Sequence, residues 1–188
     1  MVNDDQRGRL FVLSGPSGVG KDTVIRSLMV LCPQLTRPVA FTTRAPRPGE
    51  CHGREYSFVS EDVFEEMRSN DEFLETAVVH GRHYGTARSR VEELRAMGRD
   101  VLLKIDVQGA SSLRRDGSDA VFVFLAPPSR ETLVKRLTAR RTESPEEVAT
   151  RTRDADRELA EADWYHHRVV NDQVERAAAE IADILAAR

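Results

Sequence analysis

Short apolar runs alternate along the chain with stretches of helical periodicity. The apolar run at 9–14 predicts a strand, and a glycine-rich turn follows it. Residues 21–31 then place four apolar side chains at helical spacing, which predicts a helix. The chain therefore begins with a strand, a turn and a helix.

The same alternation continues to the last residues. Further strands are predicted at 39–43, 73–80, 101–105, 119–126 and 169–170, and further helices at 60–68, 88–97, 129–141 and 174–185. Ser60 is expected to cap the second helix, and Ser-Pro-Glu-Glu at 144–147 has the pattern of another helix start. Strands that alternate with helices indicate an α/β fold with a mostly parallel sheet.

Composition and charge limit the classes of partner. The chain has 188 residues, which favours one domain, and its formal net charge is −3. No overall field therefore attracts nucleic acid or an anionic membrane, and any polyanion must meet a local cluster of cations. The first residues lack the apolar run of a secretory signal, and no apolar stretch is long enough to span a bilayer. The two cysteines are expected to be reduced thiols, so a cytoplasmic protein is predicted.

The turn after the first strand has the spacing of a phosphate-binding loop. It reads Gly15, Pro16, Ser17, Gly18, Val19, Gly20, Lys21, Asp22 and Thr23. Glycines let backbone N–H groups approach phosphate oxygens, the helix N-terminus adds positive potential, and Lys21 supplies an ammonium group. The alternative is a glycine-rich turn that binds nothing.

One position departs from the strict loop pattern. A serine or threonine that reaches Mg²⁺ is expected directly after the lysine, whereas this chain has Asp22 followed by Thr23. Either side chain is a candidate for holding Mg²⁺ through a water molecule. The alternative is that Asp22 is a first-turn acid, favoured by the helix dipole, without a metal role.

Arginines form a second candidate cluster. Arg44 and Arg47 lie in a proline-containing loop, whereas Arg136, Arg140 and Arg151 flank a polar segment at 138–150. Guanidinium groups pair with phosphate oxygens through two hydrogen bonds and keep their charge. An isolated arginine is more often a solvated surface residue, so these positions gain weight only beside the phosphate-binding loop.

Five motifs follow the loop in a fixed order. They are TTRAPRPGE at 42–50, GREY at 53–56, YGT at 84–86, IDVQGA at 105–110 and RRTES at 140–144. On these motifs nearly the whole chain resembles the guanylate kinases. The resemblance implies a P-loop nucleoside-monophosphate kinase fold, with a core at 1–39 and 91–188, a mobile GMP-binding lobe at about 40–90 and a lid at about 138–150. The implied reaction transfers the γ-phosphate of ATP to GMP, and to dGMP, with Mg²⁺ as cofactor.

The resemblance also implies individual site residues. The phosphate of GMP is expected at Arg44, Arg47, Tyr56 and Tyr84, and the guanine at Glu75, Thr86 and Asp106. The catalytic cations implied are Lys21, Arg44, Arg136, Arg140 and Arg151. The chemistry agrees, because guanine offers two adjacent N–H donors that one carboxylate can accept. The alternatives are that the two tyrosines are half-buried strand aromatics and that Asp106 only caps a helix.

Three positions depart from the pattern of the family. Ala40 stands where a hydroxyl is usual, Thr76 where a large aromatic side chain is common, and Lys104 where an acid is usual. We hypothesise that Lys104 pairs with Asp22 or with a phosphate oxygen. Two other functions stay open at this point, namely a P-loop kinase of AMP or a ribose bisphosphate, and a non-catalytic guanylate-kinase-like module that binds a partner.

Overall fold

The computed structural model describes residues 7–79, 81–138 and 145–187, in which strands and helices alternate. In chain order the elements are β1 (Leu10–Ser14), α1 (Lys21–Leu31), β2 (Phe41–Thr42), β3 (Ser57–Phe58), α2 (Glu61–Ser69), β4 (Phe73–Val79), β5 (Arg82–Ala87), α3 (Arg88–Ala96), β6 (Val101–Lys104), α4 (Val107–Arg115), β7 (Val121–Ala126), α5 (Arg130–Thr138), α6 (Pro145–Ala160), a 3-10 helix (Glu161–Trp164), β8 (His167–Val170) and α7 (Val174–Ala186). The chain forms two compact units. One comprises the residues through Leu10 with Gln34–Ala120, and the other Phe11–Pro33 with the residues from Val121 on.

A parallel sheet forms the centre of the unit that contains Phe11–Pro33. Strand β7 lies between β1 and β8 and pairs with both in parallel, with Phe11 opposite Val121 and Val123 opposite His167. Helices α1 and α7 pack against each other in this unit. All of β1 and nearly all of β7 are buried, as expected of parallel strands covered on both faces. Strand β1 therefore delivers the loop at 15–20 to the carboxyl edge of the sheet, where α/β proteins bind ligands.

A mixed sheet of order β3-β2-β5-β4 organises the other unit. Its longest pairing is the antiparallel hairpin of β4 and β5, in which Glu75 lies opposite Thr86. Helix α2 covers this sheet with Phe64, whose ring stacks on Phe73 at 4.5 Å between centroids. Helix α4 packs against β4. These contacts leave Glu75 buried.

The periodicity located most elements but not all. Helix α1 has the predicted bounds, and α2 begins after Ser60, whose hydroxyl accepts a hydrogen bond from the N–H of Val63 at 3.3 Å. The polar segment assigned to 138–150 is helical from Pro145 on, as the capping pattern predicted. Strand β5 was missed because Arg82–Ala87 is not an apolar run, and its conformation is set by pairing with β4. The strand predicted at 39–43 is reduced to Phe41–Thr42.

Two further expectations can be compared with the structure. Both cysteines are free, with Cys32 buried and Cys51 exposed. In the described parts of the chain, every helix is too short or too polar to cross a bilayer.

Buried Arg95 contacts both Gly8 and Asp119, which lie near the two ends of the first unit in sequence. The Arg95 side chain is 7% exposed, and its Nε donates to the carbonyl of Gly8 at 2.8 Å. Its Nη1 donates to Asp119 at 3.0 Å, and this hydrogen bond holds the pKa of Asp119 below its ordinary value. The charge of Arg95 is thus compensated by one carboxylate that remains open to water.

We expect Asp119→Ala to lower the free energy of unfolding by about 2 kcal/mol, because it leaves a buried guanidinium without a counter-charge. This is less than for a fully buried pair, since water screens the exposed carboxylate. The lowered pKa makes the contribution of Asp119 complete above about pH 4 and absent once acid protonates the carboxyl in the folded state. Urea unfolding of Asp119→Ala at pH 7 and pH 3 measures this, with exposed Asp116→Ala as the control. An equal loss at both pH values would contradict the ion pair.

Candidate functional site

The loop between β1 and α1 is shaped by glycines. Gly15 has a φ of 141°, and a side chain there would lie 2.3 Å from the carbonyl oxygen of Leu125. Gly20 has a φ of 103° and is the N-cap of α1, without a side chain that could cap the helix. The first N–H groups of a helix have no intrahelical partner, and they carry the positive end of the helix dipole. The loop therefore has the backbone geometry that suits an anion.

Lys21 folds back over this loop. Its Nζ donates to the carbonyl oxygens of Gly15 and Pro16, the latter at 3.2 Å. Asp22 and Thr23 follow in the first turn of α1, and both are exposed. Lys21, Asp22 and Thr23 are thus consecutive residues at the start of α1, and the ammonium alone is folded back onto the loop.

The donor set near α1 fits Mg²⁺ with few protein ligands. Asp22 and Thr23 offer oxygen atoms, which Mg²⁺ prefers. Among residues 7–79, 81–138 and 145–187, no group of three or more His, Cys, Asp or Glu side chains could hold a metal. Mg²⁺ in nucleotide sites keeps several waters and uses one or two protein ligands with the substrate phosphates, so this set is sufficient.

Two of the predicted arginines contact the loop. Arg136 donates to the carbonyl oxygens of Val19 at 3.0 Å and Asn171 at 3.2 Å. Arg151, on α6, donates to the hydroxyl of Ser17 at 2.9 Å. Arg140 lies outside the described residues. Two guanidinium groups therefore lie against the turn that the sequence analysis assigned to phosphate.

Two further residues hold the loop in place. The Nδ2 of buried Asn171 donates to the carbonyl of Val19 at 2.7 Å. The backbone N–H of Ser17 donates to the carboxylate of Glu158 at 3.2 Å. Sequence reasoning missed Glu158, although its spacing of seven residues from Arg151 places both side chains on the same face of α6.

Arg44 is held by an acid of its own loop. Its Nη2 donates to both carboxylate oxygens of Glu50, at 3.0 and 2.9 Å, and the N–H of Arg47 donates to the same carboxylate at 2.8 Å. Partial burial raises the pKa of Glu50, but the hydrogen bonds from Arg47 and Arg44 outweigh it and the pKa lies below its ordinary value. Glu50 therefore stays ionised and keeps Arg44 oriented. It lies inside the TTRAPRPGE motif, but the sequence analysis gave it no role.

The two predicted tyrosines lie together with cations around them. The rings of Tyr56 and Tyr84 meet edge to face, with centroids 5.8 Å apart. The guanidinium of Arg44 lies 5.6 Å from the Tyr56 centroid, and the Nζ of Lys104 donates to the Tyr56 hydroxyl at 3.2 Å. Lys104 thus contributes charge to this cluster, whereas its pairing with Asp22 or a phosphate stays a hypothesis.

Glu75 and Thr86 form a buried pair across the hairpin. The Thr86 hydroxyl donates to Oε1 of Glu75 at 2.7 Å. Burial raises the pKa of Glu75 to about 7, and the negative charge of Asp106 adds to the rise while the Thr86 hydrogen bond opposes it. Asp106 is the N-cap of α4 and accepts the N–H of Gly109 at 2.8 Å. The capping role considered for Asp106 is therefore confirmed.

One small cavity connects these two groups. Its lining includes Ala40, Tyr56, Thr86 and Lys104. A hydroxyl from the buried pair and the tyrosine from the cationic cluster thus face the same space. Charged, polar and apolar side chains share its walls, and its volume of about 20 Å³ has room for about one water molecule. The cavity therefore marks the place where the two groups meet.

Comparisons with known proteins agree with this arrangement. The family model described as guanylate kinase matches residues 7–188. The chain is 45% identical to the guanylate kinase of Geobacter sulfurreducens, over 97% of this chain and 90% of the relative, and 46% identical to that of Nocardia farcinica, over 98% and 96%. The crystal structure of guanylate kinase from Anaplasma phagocytophilum is similar, with a TM-score of 0.80, 32% sequence identity and coverage of 96% of this chain and 86% of that chain. These similarities confirm the predicted α/β fold.

Proposed function

The chain belongs to the guanylate kinase family, and from this premise we propose how its residues carry out the reaction. It is an ATP-dependent phosphotransferase that phosphorylates GMP, giving ADP and GDP. The observation that carries the residue assignment is the buried Glu75–Thr86 pair, because this pair, with its 2.7 Å hydrogen bond, offers a carboxylate to the base of the acceptor. The other P-loop kinases and the binding module considered from the sequence are not favoured.

The loop at 15–23 is proposed to hold the phosphates of ATP. Backbone N–H groups of the loop and the N-terminus of α1 would surround the phosphate oxygens. Lys21 would exchange its contacts with the carbonyls of Gly15 and Pro16 for contacts with the outer phosphates. Arg136 and Arg151 contact the loop and would add positive charge there, and Arg140 is assigned with them from its position in the sequence.

The cluster around Tyr56 is proposed to bind the phosphate of GMP. Arg44 and Arg47 would supply positive charge, with Arg44 held in place by Glu50. Tyr56 and Tyr84 would donate their hydroxyl hydrogens to phosphate oxygens, since a phenol is both a donor and an acceptor. Lys104 donates to the Tyr56 oxygen, so the hydroxyl hydrogen of Tyr56 points away from Lys104 and would be available to a phosphate oxygen.

Guanine recognition is proposed for Glu75, Thr86 and Asp106. The N1–H and N2–H₂ groups of guanine lie side by side and can both be accepted by carboxylate oxygens, whereas adenine lacks this pair of donors. The single hydroxyl hydrogen of Thr86 is already donated to Glu75, so the Thr86 oxygen would contact the base as an acceptor. Binding AMP instead would leave a buried carboxylate without its donors, and such losses make polar sites highly selective.

Phosphoryl transfer needs little covalent chemistry from the protein. The attacking atom is an oxygen of the GMP phosphate, which is already anionic, so no general base is required. ATP and GMP together bring about six negative charges that repel each other, and positioning with electrostatic stabilisation therefore dominates catalysis. Lys21 and the arginines supply the positive charge. When bound, Mg²⁺ would neutralise part of the donor charge, held through water by Asp22 or Thr23.

The remaining expectations belong to this proposal. A cytoplasmic location fits the two free thiols and the small-molecule substrates. The division into a core, a GMP-binding lobe at about 40–90 and a lid at about 138–150 is carried over from the family, with residues 139–144 outside the described residues. Closure of such a lid would exclude water, which competes with GMP for the phosphate.

The proposal can be tested with a panel of phosphate acceptors. We expect ATP-dependent ADP release with GMP and dGMP, and a kcat/KM at least about 10³-fold lower with AMP or ribose 1,5-bisphosphate. An ATP-only reaction measures hydrolysis and serves as the control. Preference for AMP or for the sugar would overturn the assignment of Glu75 and Thr86, and ADP release that does not depend on any acceptor would overturn the proposed roles altogether.

A further inference from the structure

Glu75 lies unusually close to the backbone of α4. Gly109 is in the first turn of this helix, and a side-chain carbon at this position would stand 2.5 Å from Oε2 of Glu75 and 3.2 Å from Oδ1 of Asp106. Contacts between such atoms are normally well above 3 Å. Gly109 is therefore the place at which the carboxylate of Glu75 rests against the helix.

Helix geometry alone does not require glycine at this position. Gly109 lies within α4, and the glycines of the chain with positive φ are other ones. A glycine in a helix costs about 1 kcal/mol relative to alanine. Some other benefit must offset this cost, and the neighbouring carboxylates indicate what it is.

We propose that Gly109 is a positioning residue for guanine recognition, because its missing side chain lets Glu75 lie in the orientation that accepts the N–H groups of the base. The inference rests on the proposed function of Glu75. The same residue also orients the second carboxylate, since its N–H donates to Asp106 at 2.8 Å. Position 109 thus contacts both carboxylates, and the contact that depends on glycine is the one with Glu75, because the backbone N–H that holds Asp106 would be present in any residue but proline.

An added methyl group at 109 would meet the end of a flexible side chain and not another backbone. Glu75 can rotate away at small cost to folding, but it then leaves the geometry shared with Thr86, which donates to Oε1 at 2.7 Å. The structure therefore predicts a variant that folds well and recognises guanine poorly. A purely structural role for Gly109 would give the opposite combination.

The test is Gly109→Ala, assayed with GMP and with inosine monophosphate, which lacks the 2-amino group of guanine. We expect KM for GMP to rise by about 30-fold, KM for ATP to stay within about twofold, and the ratio of kcat/KM for GMP to that for the inosine nucleotide to fall by about tenfold. The melting temperature should be unchanged or higher, because alanine is the better helix former. Ser111→Ala, in the same helix, is the matched control. It also introduces the better helix former, and it should leave all of the kinetic values unchanged.

A second variant keeps the test decisive if Gly109→Ala folds poorly. Glu75→Asp withdraws the carboxylate by one methylene group, so in combination with Gly109→Ala it should relieve the contact. We expect the two changes to be non-additive. Glu75→Asp should weaken GMP binding when residue 109 is glycine, and it should not weaken binding further when residue 109 is alanine. Additive effects, or an unchanged ratio between the two nucleotides, would overturn the inference. If instead the unmodified protein failed to use GMP, the proposed function itself would be wrong.

Discussion

Replacing Lys21 with methionine is expected to lower kcat by about 10³-fold while KM for GMP changes little. The ammonium of Lys21 is the charge in the loop that can move to the outer phosphates, where negative charge spreads in the transition state. In the present structure it donates to the carbonyls of Gly15 and Pro16, so it is already inside the loop. Methionine has a similar length and apolar stem, and it removes the charge with little change in packing. Initial rates with varied ATP and varied GMP separate the two effects.

The chain offers a matched control for this experiment. Its lysines are Lys21, Lys104 and Lys135, and Lys135 is exposed on α5. Lys135→Met removes the same charge from the molecule and should leave kcat within about twofold, because exposed charges are screened by water and salt. Unaltered turnover in Lys21→Met, or an equal loss in both variants, would show that this ammonium does not stabilise the transferring group.

The strand, the glycine-rich loop and the helix at 10–31 could be predicted from the sequence because they are local. Strand, glycines, lysine and helix follow one another in the chain, and backbone conformation alone brings them together. The fold class was predictable for a related reason, since the strands covered on both faces, such as β7, appear as continuous apolar runs. For both the loop and the buried strands, the order of residues along the chain was sufficient for the prediction.

Contacts between distant segments could not be predicted from spacing. Thr86 meets Glu75 only because β5, which has no apolar pattern, pairs with β4. Resemblance to a family supplied those two residues. Glu50 and Gly109 lie inside the motifs and Glu158 has helical spacing from Arg151, but their roles emerged only from distances. These three residues hold predicted site residues in position by contacting them. Such contacts depend on how distant parts of the chain pack together.

Replacing Glu75 with glutamine is expected to lower kcat/KM for GMP by about 10³-fold at pH 8, while KM for ATP changes little. The amide retains one acceptor oxygen, which Thr86 already uses, and turns an N–H₂ group toward the N–H groups of guanine. Two sets of donors then face each other in a buried place, where unpaired polar groups are costly. Glu72→Gln, at an exposed carboxylate just before the same strand, is the control and should behave as the unmodified protein.

The raised pKa of Glu75 predicts that the proposed recognition of guanine depends on pH. Because burial raises the pKa of this carboxyl to about 7, it is protonated in the free protein below that pH and can no longer accept both donors. We expect kcat/KM for GMP to fall about tenfold per pH unit below about 7. The phosphate of GMP also titrates, near pH 6. The ratio of the unmodified protein to Glu75→Gln cancels that contribution, and a ratio independent of pH between 5 and 8 would contradict the role of the carboxylate.

The same variant should gain stability while it loses activity. Between about pH 4 and pH 7 the folded protein keeps a proton on Glu75 that the unfolded chain releases, so stability falls as the pH rises through this interval. Above about pH 7 the folded protein holds a buried charge, and Glu75→Gln avoids it. We therefore expect the variant to be more stable by up to about 3 kcal/mol at pH 8 and by almost nothing at pH 4. Urea unfolding at both pH values measures the difference. A loss of stability at pH 8 would show that other groups of the folded protein stabilise the ionised carboxylate of Glu75. Its burial would then have no cost in stability that guanine binding would need to explain.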